Sequence, residues 1–566
     1  MLRSAINKIK SSFLQKNIKA AAKNNIKIED FKIVKEGSAE ILFPKKEDVF
    51  YNPIQQFNRD LSVMCIKAWD KMYRQEAQTK GNKRSKSSRF TSKKRKLEDG
   101  STITEEIKEQ DPEKYMRILE ALSATGLRAI RYAKEIPNVK ELVANDLIPA
   151  AVDSIQRNIS FNEVDHLVKA NLDDANALLY REKGQNNRFH VIDLDPYGTV
   201  TPFIDAALQN IEENGLLLVT CTDLSVLAGN GYPEKCFALY GGVNMVNHEA
   251  THESALRLVL NLINQTAAKY KKTVTPLLSL SIDFYVRVFV QVKTSPIEVK
   301  SLQSKTMITY HCTQCGSYHN QPLGRKSEVE SKKKKNITQF KYSVAQGPPV
   351  DRKCRYCQGT YHLAGPMYAG PLHNEEFVKE VLKINKEDEK KQEDIYGTHK
   401  RIEGMLTLAL NEVADSPFYF SPNHVSSILK LQVPQMKKVI AGLGSLGFQC
   451  SLTHAQPSSI KTNAPWEAIW YVMRQCDSEK DVSRMNPNTA GYKILSTMSS
   501  WLPSPSDEIK SSVFFDSSKL SFEENEQSGN VEKLRKLKIV RYQENPTKNW
   551  GPKARPNPST KPSPQK

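Results

Sequence analysis

The chain has 566 residues, a formal net charge of +19, 39% apolar residues and 26% charged ones, ordinary for a soluble globular protein of two to four domains. It contains no uninterrupted apolar stretch long enough to cross a bilayer and no apolar signal-peptide core, which excludes a membrane-spanning protein and argues against a secreted one. The charge points to an anionic partner, but seven Lys/Arg lie in the acid-free residues 1–28 and nine in the acid-free residues 80–96, so the folded parts are nearer balance.

In chain order, residues 1–28 set Leu2, Ile6, Ile9 and Phe13 at helical spacing against Arg3, Lys8, Lys10 and Lys16. That is the pattern of a mitochondrial presequence or of a basic surface helix. Residues 29–75 begin the folded chain, with Ile33, Val34, Ile41, Leu42 and Phe43 as strand material. A turn at 50–53 leads into a helix through Leu61, Met64, Cys65, Ala68 and Trp69. Residues 76–112 are a Ser/Lys-rich insertion, expected to be disordered, whose basic clusters fit a nuclear import signal or a solvated loop.

Residues 113–300 alternate short apolar strands with helical patterns, the mark of a parallel sheet. Strands are expected at 117–121, 141–145, 188–194 and 215–221, and helices near 126–135, 148–158 and 251–272. The β-rich run 277–292 reads as a hairpin or long edge pair. A cysteine region occupies 301–370, and a mixed helical domain 371–480. In the latter, helices are expected at 401–412, after Ser421 and at 434–446, then strand-like residues ending in 466–471. Three helices and a β element resemble a winged-helix module, in which Lys437, Lys438 and Lys461 either grip phosphates or only pack. Residues 481–566 are expected to be extended, with a free tail at the end. No internal repeat is present.

The most informative stretch is Val191-Ile192-Asp193-Leu194-Asp195-Pro196-Tyr197-Gly198. Pro196 ends a buried strand because it has no N–H to donate, which puts Asp195 and Tyr197 at a strand's carboxyl end, where open α/β sheets bind ligands. A carboxylate and a backbone carbonyl there suit the amino group of a flat base, with the ring stacking on it. The plainer alternative is a strand followed by a Pro-Gly turn. Upstream, residues 119–128 join the first strand to the first helix through one glycine, Gly126, with no GxGxxG and no Walker lysine. Asp146, at the end of the second strand, suits both ribose hydroxyls of a nucleoside cofactor or a helix N-cap. Missing glycines argue against a pyrophosphate, whereas S-adenosylmethionine has no phosphate and tolerates a bulkier turn. Asp174 and Ala175 follow the third strand, where an adenine edge can be read.

Cys312-Thr313-Gln314-Cys315 and Cys354-Arg355-Tyr356-Cys357 are two CxxC pairs separated by 38 residues, with a Lys-rich insertion at 332–335 explaining the length. Four thiolates in this pattern read as a closed, structural Zn2+ site; free thiols or disulfides are the alternative, disulfides being disfavoured in a cytosolic, nuclear or matrix protein. Such a site has no open position, so metal-dependent deamination is a poor reading. The remaining cysteines have no pairing pattern.

The set Phe50-Tyr51-Asn52-Pro53, Asn58-Arg59-Asp60, residues 124–128, Asn145-Asp146 and Asp195-Pro196-Tyr197-Gly198 resembles the eukaryotic tRNA (guanine-26-N2) dimethyltransferase family; Thr222-Asp223-Leu224 and Tyr240-Gly241-Gly242 add to it. The resemblance covers about residues 29–555 and implies an α/β fold. It consists of a class I S-adenosylmethionine-dependent (Rossmann-like) methyltransferase domain, then a zinc-bearing α+β C-terminal domain with a winged-helix-like part. It implies that Arg59, Arg128, Asp146, Asp174 and Ala175 contact S-adenosylmethionine. It further implies that Asp195, beside Pro196, holds the target amine, and that Phe50 and Tyr197 flank the guanine. Archaeal members carry Phe at Tyr197. The implied partner is tRNA; apart from the resemblance, the two basic segments suggest use in both nucleus and mitochondrion, no stable membrane span is expected, and a monomer is the expected state though the sequence does not fix it. The rivals are an adenine-N6 methyltransferase, which usually has two prolines after the Asp, and a non-catalytic RNA-binding protein.

Overall fold

The computed structural model describes residues 28–45, 51–87, 114–330, 338–391, 395–502, 515–537 and 539–542. Nearly all of the expected presequence, much of the basic insertion, and Phe50 lie outside these residues. Two compact units emerge. One comprises 1–193, 210–217 and 383–397, the other 194–209, 218–382 and 398–566.

In the first unit, β1 (Phe31–Glu36) and β2 (Ala39–Pro44) pair antiparallel. Gly37 turns the hairpin with φ +58°, a conformation that favours glycine. Helix α1 (Gln56–Ser87) runs past residue 75 into the segment expected to be disordered. Gln75-Glu76-Ala77-Gln78 continues with good helix formers and no proline, so nothing local stops it. Then β3 (Met116–Glu120), α2 (Leu127–Glu135), β4 (Val139–Asp146), α3 (Pro149–Phe161), β5 (Val168–Leu172) and α4 (Ala175–Gly184) alternate. The β3–β4, β4–β5 and β3–β6 pairings are parallel, β6 being Val191–Leu194. Every residue of β3 and β6 is buried, as strands covered on both faces require.

β6 and β7 (Gly215–Cys221) begin in the first unit and end in the second. Helix α5 (Thr251–Ala268) stops earlier than expected, because Lys271 takes φ +59° and the β-branched run after it starts β8 (Lys272–Ile282). β8 pairs antiparallel with β9 (Tyr285–Thr294). The sheet order is β5-β4-β3-β6-β7-β9-β8. It reverses between β3 and β6, the switch point where such sheets bind ligands, and it ends in an antiparallel hairpin rather than the parallel sixth strand of dinucleotide-binding folds.

Further along the second unit, β10 (Thr306–Cys312), β11 (Tyr318–Pro322) and β14 (Tyr361–Tyr368) form a three-stranded sheet, and β12 (Gly324–Glu330) and β13 (Thr338–Val344) a separate ribbon. The length between the CxxC pairs is therefore largely this ribbon. Helices α6 (Pro422–Leu429) and α7 (Met436–Ser445) precede an antiparallel pair, β15 (Cys450–Leu452) and β16 (Ile460–Thr462). The residues expected to end as a strand at 466–471 instead form helix α8 (Trp466–Gln475). Trp466, Ile469, Trp470 and Met473 recur at helical spacing and are buried. The region after 481, expected to be extended, contributes Ala490–Ser496 and a capped helix, Glu526–Lys536, with Trp501 and Val531 buried.

Of the two readings of Lys461, phosphate binding or packing, the structure bears out packing, since the residue is buried. Its Nζ donates to Glu253 Oε2 at 3.0 Å and to Glu412 Oε2 at 3.1 Å. Arg257 also donates to Glu253, at 2.7 Å, and the His454 Nδ1 lies 2.6 Å from Glu412 Oε1. Removing one member strands an uncompensated charge. Lys461→Met is expected to destabilise the protein by about 3–5 kcal/mol, read as a lower urea midpoint at unchanged slope. An unchanged midpoint would show that the two carboxylates do not depend on this ammonium.

Candidate active site

In the first unit, the carboxyl ends of β3, β4 and β5 are tied together by Asn145. Its Nδ2 donates to Ala121 O (3.0 Å) and Asp173 O (3.1 Å), and its Oδ1 accepts from Asn171 Nδ2 (2.6 Å). Asp146 grips the first turn, since Oδ2 accepts the Ala124 N–H at 2.9 Å and Oδ1 the Ile148 N–H at 3.0 Å. The N-cap alternative does not hold, because the helix is capped at Ile148 with no side-chain cap bond; Asp146 instead organises a turn beside the strand ends. Gly126 has φ +77°, and a Cβ there would stand 3.3 Å from Ile155, so this single glycine is required. Asp174 is the N-cap of α4, its Oδ1 accepting from Asn176 and Ala177 N–H; Ala175 is buried behind it.

Arg128 reaches the ends of β3 and β6. Its Nε lies 3.6 Å from Glu120 Oε1 and its Nη1 3.5 Å from Asp193 Oδ2. The Arg59 guanidinium is held by Glu36 through Nε at 2.6 Å and by Asn52 O at 3.1 Å. Arg131 also donates to Glu36, at 2.8 Å. Burial raises the Glu36 pKa, but the two guanidiniums outweigh it and leave it below its ordinary value.

Two features were missed from sequence. Glu120 is fully buried, accepts from Ala129 N–H and from Ser123 Oγ, and is pushed up to about 8 by burial despite Arg128. Leu147, Ile148 and Leu172 are large apolar residues left exposed beside Asp146 and Asp174. An apolar residue directly after a strand-ending acid was the available signal. Exposed apolar faces next to carboxylates are the mixed lining of a nucleoside site, so the residues present fit S-adenosylmethionine.

In the second unit, Asp195 is half-buried, Pro196 buried and Tyr197 46% exposed, enough for part of its ring to meet a stacking base. Gly198, at φ +87°, is clamped by Thr222: its N–H donates to Thr222 Oγ1 at 2.8 Å, and its carbonyl accepts the Thr222 N–H at 3.0 Å. Tyr240 donates to Asp223 at 2.8 Å, and burial raises the Asp223 pKa. Phe50 is not among the described residues.

The four cysteines 312, 315, 354 and 357 are buried, with all four sulfurs within 4.8 Å of one another. Cys312 and Cys357 Sγ are 3.4 Å apart, Cys315 and Cys354 Sγ 3.7 Å. Disulfide bonds need about 2 Å, whereas a tetrahedral ion with metal–sulfur distances of about 2.3 Å needs sulfurs about 3.8 Å apart. In the first knuckle Gly316 supplies the positive φ; in the second it is Gln358, and Gly359 is required because a Cβ there would meet Cys312 Sγ at 2.9 Å. His311 and His362 meet edge to face, with ring centroids 5.7 Å apart.

A model of the N2,N2-dimethylguanosine tRNA methyltransferase family matches residues 22–474. The chain belongs to this family. It is 70% identical to the tRNA (guanine(26)-N(2))-dimethyltransferase, mitochondrial, of Saccharomyces cerevisiae, over 99% of this chain and 97% of that one. It is 42% identical to the tRNA (guanine(26)-N(2))-dimethyltransferase of Schizosaccharomyces pombe, over 93% and 92% of the two chains. The Homo sapiens protein of the same name is 36% identical over 93% of this chain and 78% of that one. Among solved structures it resembles Trm1 from Pyrococcus horikoshii in complex with S-adenosyl-L-methionine, with a TM-score of 0.58 and 25% identity, covering 78% of this chain and 99% of that chain. The fold is that of an S-adenosylmethionine methyltransferase.

Glu120 yields a pH signature for the ligand-free protein. Its carboxyl titrates near 8 in the fold against an ordinary 4.5, so folding takes up a proton between these values. Its contribution to stability is then full below 4.5 and is lost as pH rises through 8. Glu120→Gln removes this dependence, so its Tm relative to wild type is expected to climb between pH 5 and pH 8. A difference that stays flat with pH would refute the raised value.

Proposed function

We propose that this chain transfers two methyl groups from S-adenosylmethionine to the exocyclic N2 of guanine-26 in tRNA. The single observation that carries the reading is the Asp195–Tyr197 turn, a half-buried carboxylate beside an exposed ring at a strand's carboxyl end, in a chain of this family. Asp146 would hold the ribose, Asp174 with Ala175 the adenine edge, Leu147, Ile148 and Leu172 its faces, and Arg128 with Arg59 the amino-acid end. When bound, the cofactor supplies an electrophilic methyl on a sulfonium.

The rest of the chemistry belongs to this chain's side chains. Guanine N2 is a poor nucleophile because its lone pair is delocalised into the ring. Asp195 accepts an N2 hydrogen, which aligns the amine and raises its nucleophilicity, and takes the proton lost on transfer. Tyr197 and Phe50 would flank a base flipped out of the tRNA. A second transfer needs the mono-methylated amine to turn while the same carboxylate accepts its remaining hydrogen.

The four thiolates would hold a structural Zn2+, and the region 371–480, with its helices and the β15–β16 pair, would serve as a winged-helix-like tRNA-binding part. The remaining divisions are proposed as read from the sequence: presequence 1–28, split methyltransferase domain 29–75 and 113–300, and zinc region 301–370. The two basic segments fit use in both nucleus and mitochondrion, and we take the protein to act as a monomer.

The deciding experiment incubates the protein with S-adenosylmethionine and unmodified tRNA, then analyses the digested nucleosides by mass. N2,N2-dimethylguanosine that vanishes when G26 is changed to A is expected. Methylated adenine would favour the N6 reaction, and no product with no cofactor binding would favour an RNA-binding protein. Asp195→Ala is expected to lower kcat by about 10²–10⁴-fold with tRNA affinity kept; undiminished turnover would remove Asp195 from the chemistry.

The metal is tested separately. Elemental analysis is expected to find one zinc per chain, lost in Cys354→Ser, and chelation under reducing conditions is expected to lower Tm. Full stability after complete metal removal would overturn the structural role.

A further inference from the structure

The β12–β13 ribbon pairs with neither of the larger sheets. Its register runs antiparallel from Gly324 opposite Val344 to Glu330 opposite Thr338. The side chains from Arg325 to Val329 are exposed, as are those of Gln339, Phe340, Lys341, Ser343 and Val344. A two-stranded ribbon with both faces in water buries too little surface to support itself well. Its composition is therefore informative about what meets it.

Alternate side chains of a strand point to opposite faces, and the register decides which residues share one. Lys326, Glu328, Phe340 and Tyr342 share the first face. On that face the Lys326 ammonium sits 3.9 Å from the centre of the Phe340 ring, and the same face carries the carboxylate of Glu328. Arg325, Ser327, Val329, Gln339, Lys341 and Ser343 share the second face. Among the described residues this face carries two cations, two hydroxyls and an amide, and no carboxylate. Arg325 is oriented by Gln346, with Nη2 to Oε1 at 3.2 Å. A ribbon selected only for solubility has no reason to segregate its acids to one side.

We propose that the Arg325/Lys341 face docks on the sugar–phosphate backbone of the tRNA substrate. Each cation meets one phosphate, and the hydroxyls of Ser327 and Ser343 reach neighbouring phosphate or ribose oxygens. Arginine, lysine, hydroxyl and amide side chains are the groups that bind the backbone, which fixes register and carries no sequence information. The ribbon therefore contributes to tRNA affinity and not to methyl transfer. This rests on the tRNA reading above.

The test uses the full chain with unmodified tRNA carrying G26, in steady-state kinetics over a range of salt concentrations. Arg325→Gln/Lys341→Gln is expected to raise KM for tRNA about tenfold. The slope of log KM against log salt is expected to fall by about two, one for each phosphate that the variant no longer neutralises. kcat and KM for S-adenosylmethionine stay at wild-type values. Lys326→Gln, on the opposite face, leaves every parameter unchanged. The proposal is overturned if the double variant keeps the wild-type KM and salt slope, or if Lys326→Gln shifts them as much. Wild-type protein that methylates no tRNA would instead sink the substrate reading, so the two failures are distinguishable.

Discussion

Parallel strands leave backbone polar groups to be satisfied at their carboxyl ends, and in this protein Asn145 meets that constraint. One amide closes the ends of three strands by bonding Ala121 O, Asp173 O and Asn171. With those carbonyls satisfied, the backbone after each strand can turn at once into a helix. The turns then hold Asp146 and Asp174 by their own amides rather than by long side-chain excursions. A site built this way is rigid before any ligand arrives, so binding costs little ordering of the protein.

Burial of charge is the second organising feature, and the two units handle it alike. In the first, Glu36 accepts from both Arg59 and Arg131, and Arg131 also meets Asp60 at 2.7 Å. In the second, Lys461 bridges Glu253 and Glu412, while Arg257 shares Glu253. Such systems contribute little net stability compared with well-packed apolar groups, because desolvation offsets the attraction. What they fix is which segments meet. Glu36 comes from the hairpin, Arg59 from α1 and Arg131 from α2; Glu253 comes from α5 and Lys461 from β16, some two hundred residues later.

Periodicity carried much of the fold in the sequence. The seventh strand is buried over its whole length at 215–221, as its unbroken apolar run requires. Failures occurred where a local pattern had two solutions. Residues 466–471 hold aromatic and β-branched groups that favour strands, but their apolar spacing is helical, and the helix won because both Trp466 and Trp470 could be buried on one face. For Lys461 the sequence left phosphate binding and packing open, because nothing local announces the two carboxylates, distant in sequence, that it bridges. The acids at the strand ends were readable, since motif order constrains them. Glu120 and the apolar trio at 147, 148 and 172 were not, because their meaning depends on being respectively buried and exposed against type.

The turn at 195–198 differs in kind from the cradle formed at Asn145. Thr222 clamps its Gly198 through both its backbone N–H and its hydroxyl. Pro196 fixes φ, and Gly198, with nothing within 4 Å of a would-be Cβ, accepts the left-handed conformation that lets the chain reverse. Asp195 is half-buried in this turn, and Tyr197 keeps nearly half of its surface in solvent. For a reaction that must act twice on one amine, this division is the useful one. On the proposed reading the half-buried carboxylate would keep its place through both transfers, while the base, larger by one methyl at the second, would turn against the exposed face of the ring.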